Sequence, residues 1–155
     1  MRESLFNILQ YKIVDARVLD MFCGTGAVGI EALSRGAKEV VFNDKSRESL
    51  IITKKNLEKL GIDNGISVIN RDYSALFEMN LSLFDVVFID PPYASDAGVL
   101  AIAKVDKLLV DGGIAVFESE TPWESRKILD LPKGLVFYDE RKYGRVYLTF
   151  FRKEN

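Results

Sequence analysis

Short runs rich in Val, Ile and Phe alternate with helical patterns along most of this chain, and that alternation constrains its fold more than any other feature. Residues 17–21, 39–43, 66–70, 84–89 and 114–118 predict strands, and residues 27–35, 46–60, 73–78 and 97–108 between them predict helices. Strands separated by helices build a parallel sheet with crossover connections. The run Phe84-Asp85-Val86-Val87-Phe88-Ile89 is apolar nearly throughout, as expected of a central strand covered on both faces. The last third breaks the rhythm. Residues 135–140 and 145–152 predict two strands around Arg141-Lys142-Tyr143-Gly144, an antiparallel hairpin with Gly144 in its turn. At the start, Leu5, Ile8, Leu9 and Ile13 fall at helical spacing and predict one amphipathic helix from Arg2 to Ile13. The expected product is one α/β domain over residues 1–155, with a seven-stranded, mostly parallel sheet.

The 155 residues, 48% hydrophobic and 28% charged, suit one globular domain that needs no staples. No apolar run has the length to cross a bilayer, and no signal peptide is recognisable at Met1, so no membrane partner is expected. A single cysteine, Cys23, cannot form an internal disulfide, and the expected location is the reducing cytoplasm. The absence of histidine excludes a histidine base or a histidine metal site, and no metal is expected. A net charge of -2 supplies no overall field for nucleic acid, so any such contact must come from a local patch.

Four predicted strands lead into an aspartate. The first runs into Asp20-Met21-Phe22-Cys23-Gly24-Thr25-Gly26, followed by a helix. Glycines at a strand-to-helix junction let backbone approach a ligand, and the helix start offers unpaired N–H groups. Gly24, Gly26 and Gly29 also satisfy the dinucleotide spacing, so the glycines alone do not decide the ligand. Asp20 separates the readings. Its carboxylate would repel a pyrophosphate, but it can accept from an ammonium or a bound water. With Phe22, it forms the D-x-F-x-G-x-G arrangement of S-adenosylmethionine enzymes. Asp44, followed by Lys45, ends the second strand and suits two ribose hydroxyls; capping of the next helix is its rival role. Asp72 ends the third strand and can accept from an adenine amine, with Tyr73 walling the ring, or it can simply cap a helix.

Asp90-Pro91-Pro92-Tyr93 follows the fourth strand directly. The prolines fix φ and carry no N–H, so their carbonyls remain as acceptors. Asp90 and the Pro91 carbonyl can accept both hydrogens of an exocyclic amine, and Tyr93 can stack the base, a contact worth about 1–3 kcal/mol. The amine becomes acidic only as it is alkylated, so Asp90 can take the proton late and no strong base is needed. Cys23 lies in the glycine turn, away from this loop, which disfavours a covalent attack on a pyrimidine.

Met-Arg-Glu-Ser-Leu-Phe-Asn at 1–7, Asp20 to Ala37, Asp90 to Tyr93, Val116-Phe117-Glu118-Ser119-Glu120 and the Tyr143-Gly144-Arg145 hairpin together resemble the RsmD family. The most distinctive stretch is Gly29-Ile30-Glu31-Ala32-Leu33-Ser34-Arg35-Gly36-Ala37. Members of that family are bacterial methyltransferases of small-subunit ribosomal RNA that act on guanine N2. The resemblance implies a Rossmann-like methyltransferase fold and S-adenosyl-L-methionine as cofactor. It implies that Asp44 and Asp72 serve its ribose and adenine, and that Asp90 to Tyr93 hold the guanine amine. It implies 16S ribosomal RNA or the assembling small subunit as partner, met by a monomer. It places Arg2 near the site, where it can meet the RNA. It also implies a basic β-hairpin segment ahead of the first helix; this sequence begins inside that helix, as either a truncated record or a short variant would. Arg141, Lys142, Arg145, Arg152 and Lys153, interleaved with Tyr143 and Tyr147, form a candidate phosphate-binding patch or a solvated strand face. Three other readings stay open: an adenine-N6 or cytosine-N4 methyltransferase, a Rossmann-type NAD-binding oxidoreductase, and a non-catalytic RNA-binding remnant.

Overall fold

The computed structural model describes residues 1–92, 94–126 and 131–154. Seven strands form one sheet: β1 (Arg17–Asp20), β2 (Glu39–Asn43), β3 (Ile66–Ile69), β4 (Phe84–Ile89), β5 (Leu109–Ser119), β6 (Leu135–Tyr143) and β7 (Val146–Lys153). Their spatial order is β3-β2-β1-β4-β5-β7-β6. The first five run parallel, while β7 is antiparallel to both β5 and β6. This is the mostly parallel seven-stranded α/β sheet with a terminal antiparallel hairpin that the alternation predicts. The order reverses between β1 and β4, and the crevice beyond the carboxyl ends there is where open α/β sheets bind ligands.

Both faces of the sheet are buried, as the apolar β4 requires. Val86 and Phe88 point to one side with Phe6, Leu9 and Ile13 of the N-terminal segment. Val87 and Ile89 point to the other, with Ala101, Ile102 and Val105. The crossover helices are α3 (Ala27–Ser34), α4 (Arg47–Lys59), α5 (Tyr73–Leu76) and α6 (Ala97–Ile102).

Several expected boundaries need correction. The N-terminal helix is interrupted: α1 (Arg2–Ile8) and α2 (Gln10–Ile13) meet at Leu9, whose φ of -92° and ψ of 2° leave the helical basin. The apolar face survives the break, because Leu5, Phe6, Leu9 and Ile13 are all buried. The expected helix 97–108 stops at Ile102, and a 3₁₀ turn over Val105–Leu108 replaces its second half. In a 3₁₀ turn residues three apart eclipse, so Val105 and Leu108 enter one cluster together. Strand β5 starts five residues before the expected 114, passing Gly112 and Gly113 through an irregularity against β4. The hairpin is tighter than predicted: Tyr143 pairs with Val146, so Arg141, Lys142 and Tyr143 belong to β6, and only Gly144 and Arg145 make the turn.

Candidate active site

The glycine turn between β1 and α3 is held from behind. Gly26 caps α3 with φ of 84°, a left-handed conformation that needs glycine. A Cβ on Gly29 would sit 2.3 Å from the Phe42 ring, so that glycine lets α3 lie against β2. The third glycine of the dinucleotide spacing therefore has a packing reason here. The Gly29 N–H donates to the Asp20 carboxylate at 3.0 Å, and the Gly24 N–H donates to Asp44 at 2.9 Å. Helix α4 completes the support. The Thr53 hydroxyl donates to the Gly24 carbonyl at 2.8 Å, and the Asn56 amide donates to the Thr25 carbonyl at 2.9 Å.

Sequence reasoning missed Asn43. Its buried amide donates to the carbonyls of Met21 at 3.0 Å and Arg71 at 3.1 Å, tying the end of β1 to the loop after β3. Its Oδ1 is buried without a partner among the described residues.

The other predicted cofactor residues have mixed fates. Asp44 does not cap α4; Ser46 does, accepting from the Ser49 N–H at 3.2 Å. Asp44 is nonetheless engaged, accepting also from the Ser46 N–H at 2.8 Å. Asp72 caps α5, and its carboxylate accepts from the Ser74 backbone and hydroxyl. Those bonds hold its pKa below the usual carboxylate value. Phe22 and Tyr73 form one aromatic pair, ring centroids 5.5 Å apart. Lys45, next to Asp44, is exposed, and neither Asp44 nor Asp72 lines either of the two cavities described below.

Two cavities open at the carboxyl end of the sheet and meet at Asp90 and Glu118. The smaller, about 230 Å³, is lined by the glycine turn with Asp20, Phe22 and Val28, and by Leu5 of α1. The larger, about 430 Å³, is lined by Pro91, Pro92, Phe117, Ser119, Thr121 and Arg126. The Pro92 carbonyl accepts from the Ser95 N–H at 3.3 Å, which leaves the acceptor role to Pro91. Tyr93 lies outside the described residues.

Glu118 is the second residue missed. In β4 and β5, Phe88 pairs with Val116 and Ile89 with Phe117, so the next step places Asp90 beside Glu118. Burial pushes the Glu118 carboxyl up to about 7, and the Asp90 charge adds to the shift. Asp90 opens to solvent at the cavity mouth, yet enclosing protein raises its pKa, against the pull of its hydrogen bond with Glu118. Asp20 is enclosed fully. Burial raises it to about 7, its bond from Gly29 opposes this, and the charges of Asp90 and Asp44 add to it. Asp20, Asp90 and Glu118 thus form a row on one side of three adjacent strands. Among the described residues no acidic, histidine or cysteine cluster could hold a metal ion. Cys23 is buried, its thiol pushed by burial to about 12, so it supplies no thiolate at neutral pH.

The expected basic patch is divided. Arg141 pairs across the hairpin with Leu148, and Lys142 with Tyr147, on opposite faces. Arg141 bonds Asp139 at 3.2 Å, and Arg152 bonds Glu154 at 2.7 Å. Lys153 turns inward to the carbonyls of Asp106 and Leu109. Arg145 is exposed in the turn, and Tyr143 packs against the core. Arg2 is exposed on α1, close enough to lower the Glu31 pKa slightly.

Residues 1–152 match the family model described as Conserved hypothetical protein 95. The chain is 30% identical over 155 residues to Ribosomal RNA small subunit methyltransferase D of Escherichia coli K12, covering 99% of this chain and 76% of that protein. The same-named protein of Buchnera aphidicola (strain Bp) is 29% identical, with 99% and 79% covered. A solved Escherichia coli structure, "Putative methyltransferase yhhF", superposes with a TM-score of 0.87 at 29% identity, covering 99% of this chain and 86% of that one. With fold, site and whole-length match in agreement, this chain belongs to the Conserved hypothetical protein 95 family, the family of these small-subunit methyltransferases.

Proposed function

We propose that the protein methylates the exocyclic N2 of a guanine in 16S ribosomal RNA, using S-adenosyl-L-methionine. The observation that carries this reading is the shared wall of the two cavities: the one lined by the glycine turn and the one beyond the Asp-Pro-Pro loop meet at Asp90. The donor set fits the cofactor. Acids at Asp20, Asp90 and Glu118 suit its cationic groups. The start of α3, where Gly26 brings no capping side chain and Asp20 takes only the Gly29 N–H, suits its carboxylate. Asp44 suits the ribose hydroxyls, Asp72 the adenine amine, and the Phe22–Tyr73 pair the adenine ring. The same acids are ill matched to a pyrophosphate, which disfavours a dinucleotide. The bound cofactor supplies an electrophilic methyl group.

Asp90 and the Pro91 carbonyl hold the amine's two hydrogens and leave its lone pair aimed across the shared wall. Asp90 would take one amine proton as the nitrogen is alkylated. Positioning of this kind lowers a barrier by several kcal/mol, about 7–11 where the geometry is ideal. Exposed Arg2, Arg141 and Arg145, with Tyr143 beside them, offer contacts for RNA. The choice of guanine and of 16S RNA rests on kinship to the small-subunit methyltransferases.

The test incubates the protein with labelled S-adenosylmethionine and unmodified 16S RNA or 30S particles, then identifies the modified base by mass spectrometry. N2-methylguanine is expected. N6-methyladenine or N4-methylcytosine would overturn the base assignment, and binding of NADH without S-adenosylmethionine would overturn the chemistry.

A further inference from the structure

The larger cavity holds more recognition chemistry than gripping an amine requires. Arg126 sits in its wall on the segment after β5. One terminal nitrogen donates to the Ser119 hydroxyl and to Thr121 Oγ1, the latter at 3.0 Å. The guanidinium carbon lies 5.1 Å from the Phe117 ring centroid. Its Nε is buried and has no partner among the described residues.

The segment that carries Arg126 is anchored. Trp123 packs edge-on against Phe117 and Phe151, with centroids 6.0 and 4.9 Å away. The Trp123 backbone N–H donates to Glu140 at 3.0 Å, and Glu140 also accepts from the Thr149 hydroxyl at 2.6 Å. The guanidinium is therefore held rather than trailing in solvent.

Asp90, Pro91 and Glu118 bring acceptors to this one cavity, and Arg126 brings donors to it. The Watson–Crick edge of guanine is the complement: the N2 amine, the N1–H and the O6 carbonyl. Adenine and cytosine offer an amine next to a bare ring nitrogen, which an ionised Glu118 would repel. We propose that Glu118 accepts from N1–H and Arg126 donates to O6, so that this pair, rather than the Asp-Pro-Pro loop, selects guanine. The proposal deepens the guanine-N2 reading above and rests on it.

The test uses 16S RNA rebuilt by splinted ligation, with 2-aminopurine in place of the methylated guanine. That base keeps the 2-amino group and lacks both the N1–H and O6. At about 1–3 kcal/mol of discrimination per good base contact, wild-type kcat/KM should favour guanine about 100-fold or more. In Arg126→Met the preference should fall at least tenfold. In Glu118→Gln it should fall similarly, because the amide can donate to the bare N1. Arg126→Lys keeps the charge but not the planar fork, and should also lose preference. Affinities for the two RNAs measured with S-adenosylhomocysteine, which allows no turnover, should follow the same order. Thermal melts establish that each variant is folded. Equal losses on both bases, with the preference intact, overturn the edge reading alone. No transfer to guanine by the wild type overturns the proposed function and this inference together.

Discussion

The glycine turn and the wall beyond Asp90 lie side by side, yet they are built differently. Around the turn, polar side chains are committed inward. Asp20, Asp44, Thr53 and Asn56 each bond the backbone of the loop they support. The ligand there meets shaped backbone. Around the larger cavity the chemistry faces outward: Asp90 and Glu118 crowd each other, and Arg126 keeps a buried donor unpaired. A common ligand can be recognised by a rigid cradle, whereas a chosen base needs side chains whose hydrogen-bonding capacity is still open.

Mutation should separate the two regions, and the largest effect belongs to the outward-facing one. Asp90→Ala should lower methyl transfer by about 10³-fold or more while cofactor affinity survives, because it removes both a positioning contact and the proton acceptor. Turnover near the wild-type rate would take Asp90 out of the mechanism. A smaller effect belongs to the cradle. Asp44→Ala should weaken S-adenosylmethionine binding about tenfold in calorimetry, with kcat nearly unchanged. Asp44→Asn sharpens this result. It keeps an acceptor for the Gly24 N–H, so full rescue would give Asp44 a purely structural role, and partial rescue would show that the carboxylate meets the ligand.

The smallest effect is on stability. Asp20 titrates near 7 when folded, against about 3.9 in an unfolded chain. Between those values the folded state binds the extra proton, so this group's stabilisation is complete below about 4 and is lost as pH rises through about 7. Glu118, also raised to about 7, adds a slope of the same sign. Urea melts of Asp20→Asn across that window should show a shallower decline than the wild type. An unchanged slope would mean that Asp20 is ionised in the fold.

Much of this was legible in the sequence, for a physical reason. Strand and helix periodicity are local, and parallel topology brings every strand-end aspartate to one edge of the sheet. Asp20, Asp44 and Asp90 could be placed at the carboxyl ends of their strands from the chain alone. Glu118 could not be assigned a role, because its meeting with Asp90 depends on the register of β5 against β4, and the Gly112-Gly113 irregularity shifts that register. Arg126 lies beyond Pro122 in a segment with no periodicity, and only its packing through Trp123 brings it back to Phe117. The basic patch read as continuous because sequence lists neighbours in order, whereas a strand sends alternate side chains to opposite faces.

The row formed by Asp20, Asp90 and Glu118 has one further consequence. Its affinity for protons depends on the charge of whatever lies beside it. A positive neighbour keeps the three carboxyls ionised; neutralising that neighbour makes them stronger bases at once. Under the proposed chemistry, methyl transfer is the event that removes the sulfonium charge from the cofactor side, and it is also the moment at which the amine must shed a proton. The row would then act as a self-timed proton sink, idle beforehand and avid when needed, and its weakened hold on a product that has lost one positive charge would favour release.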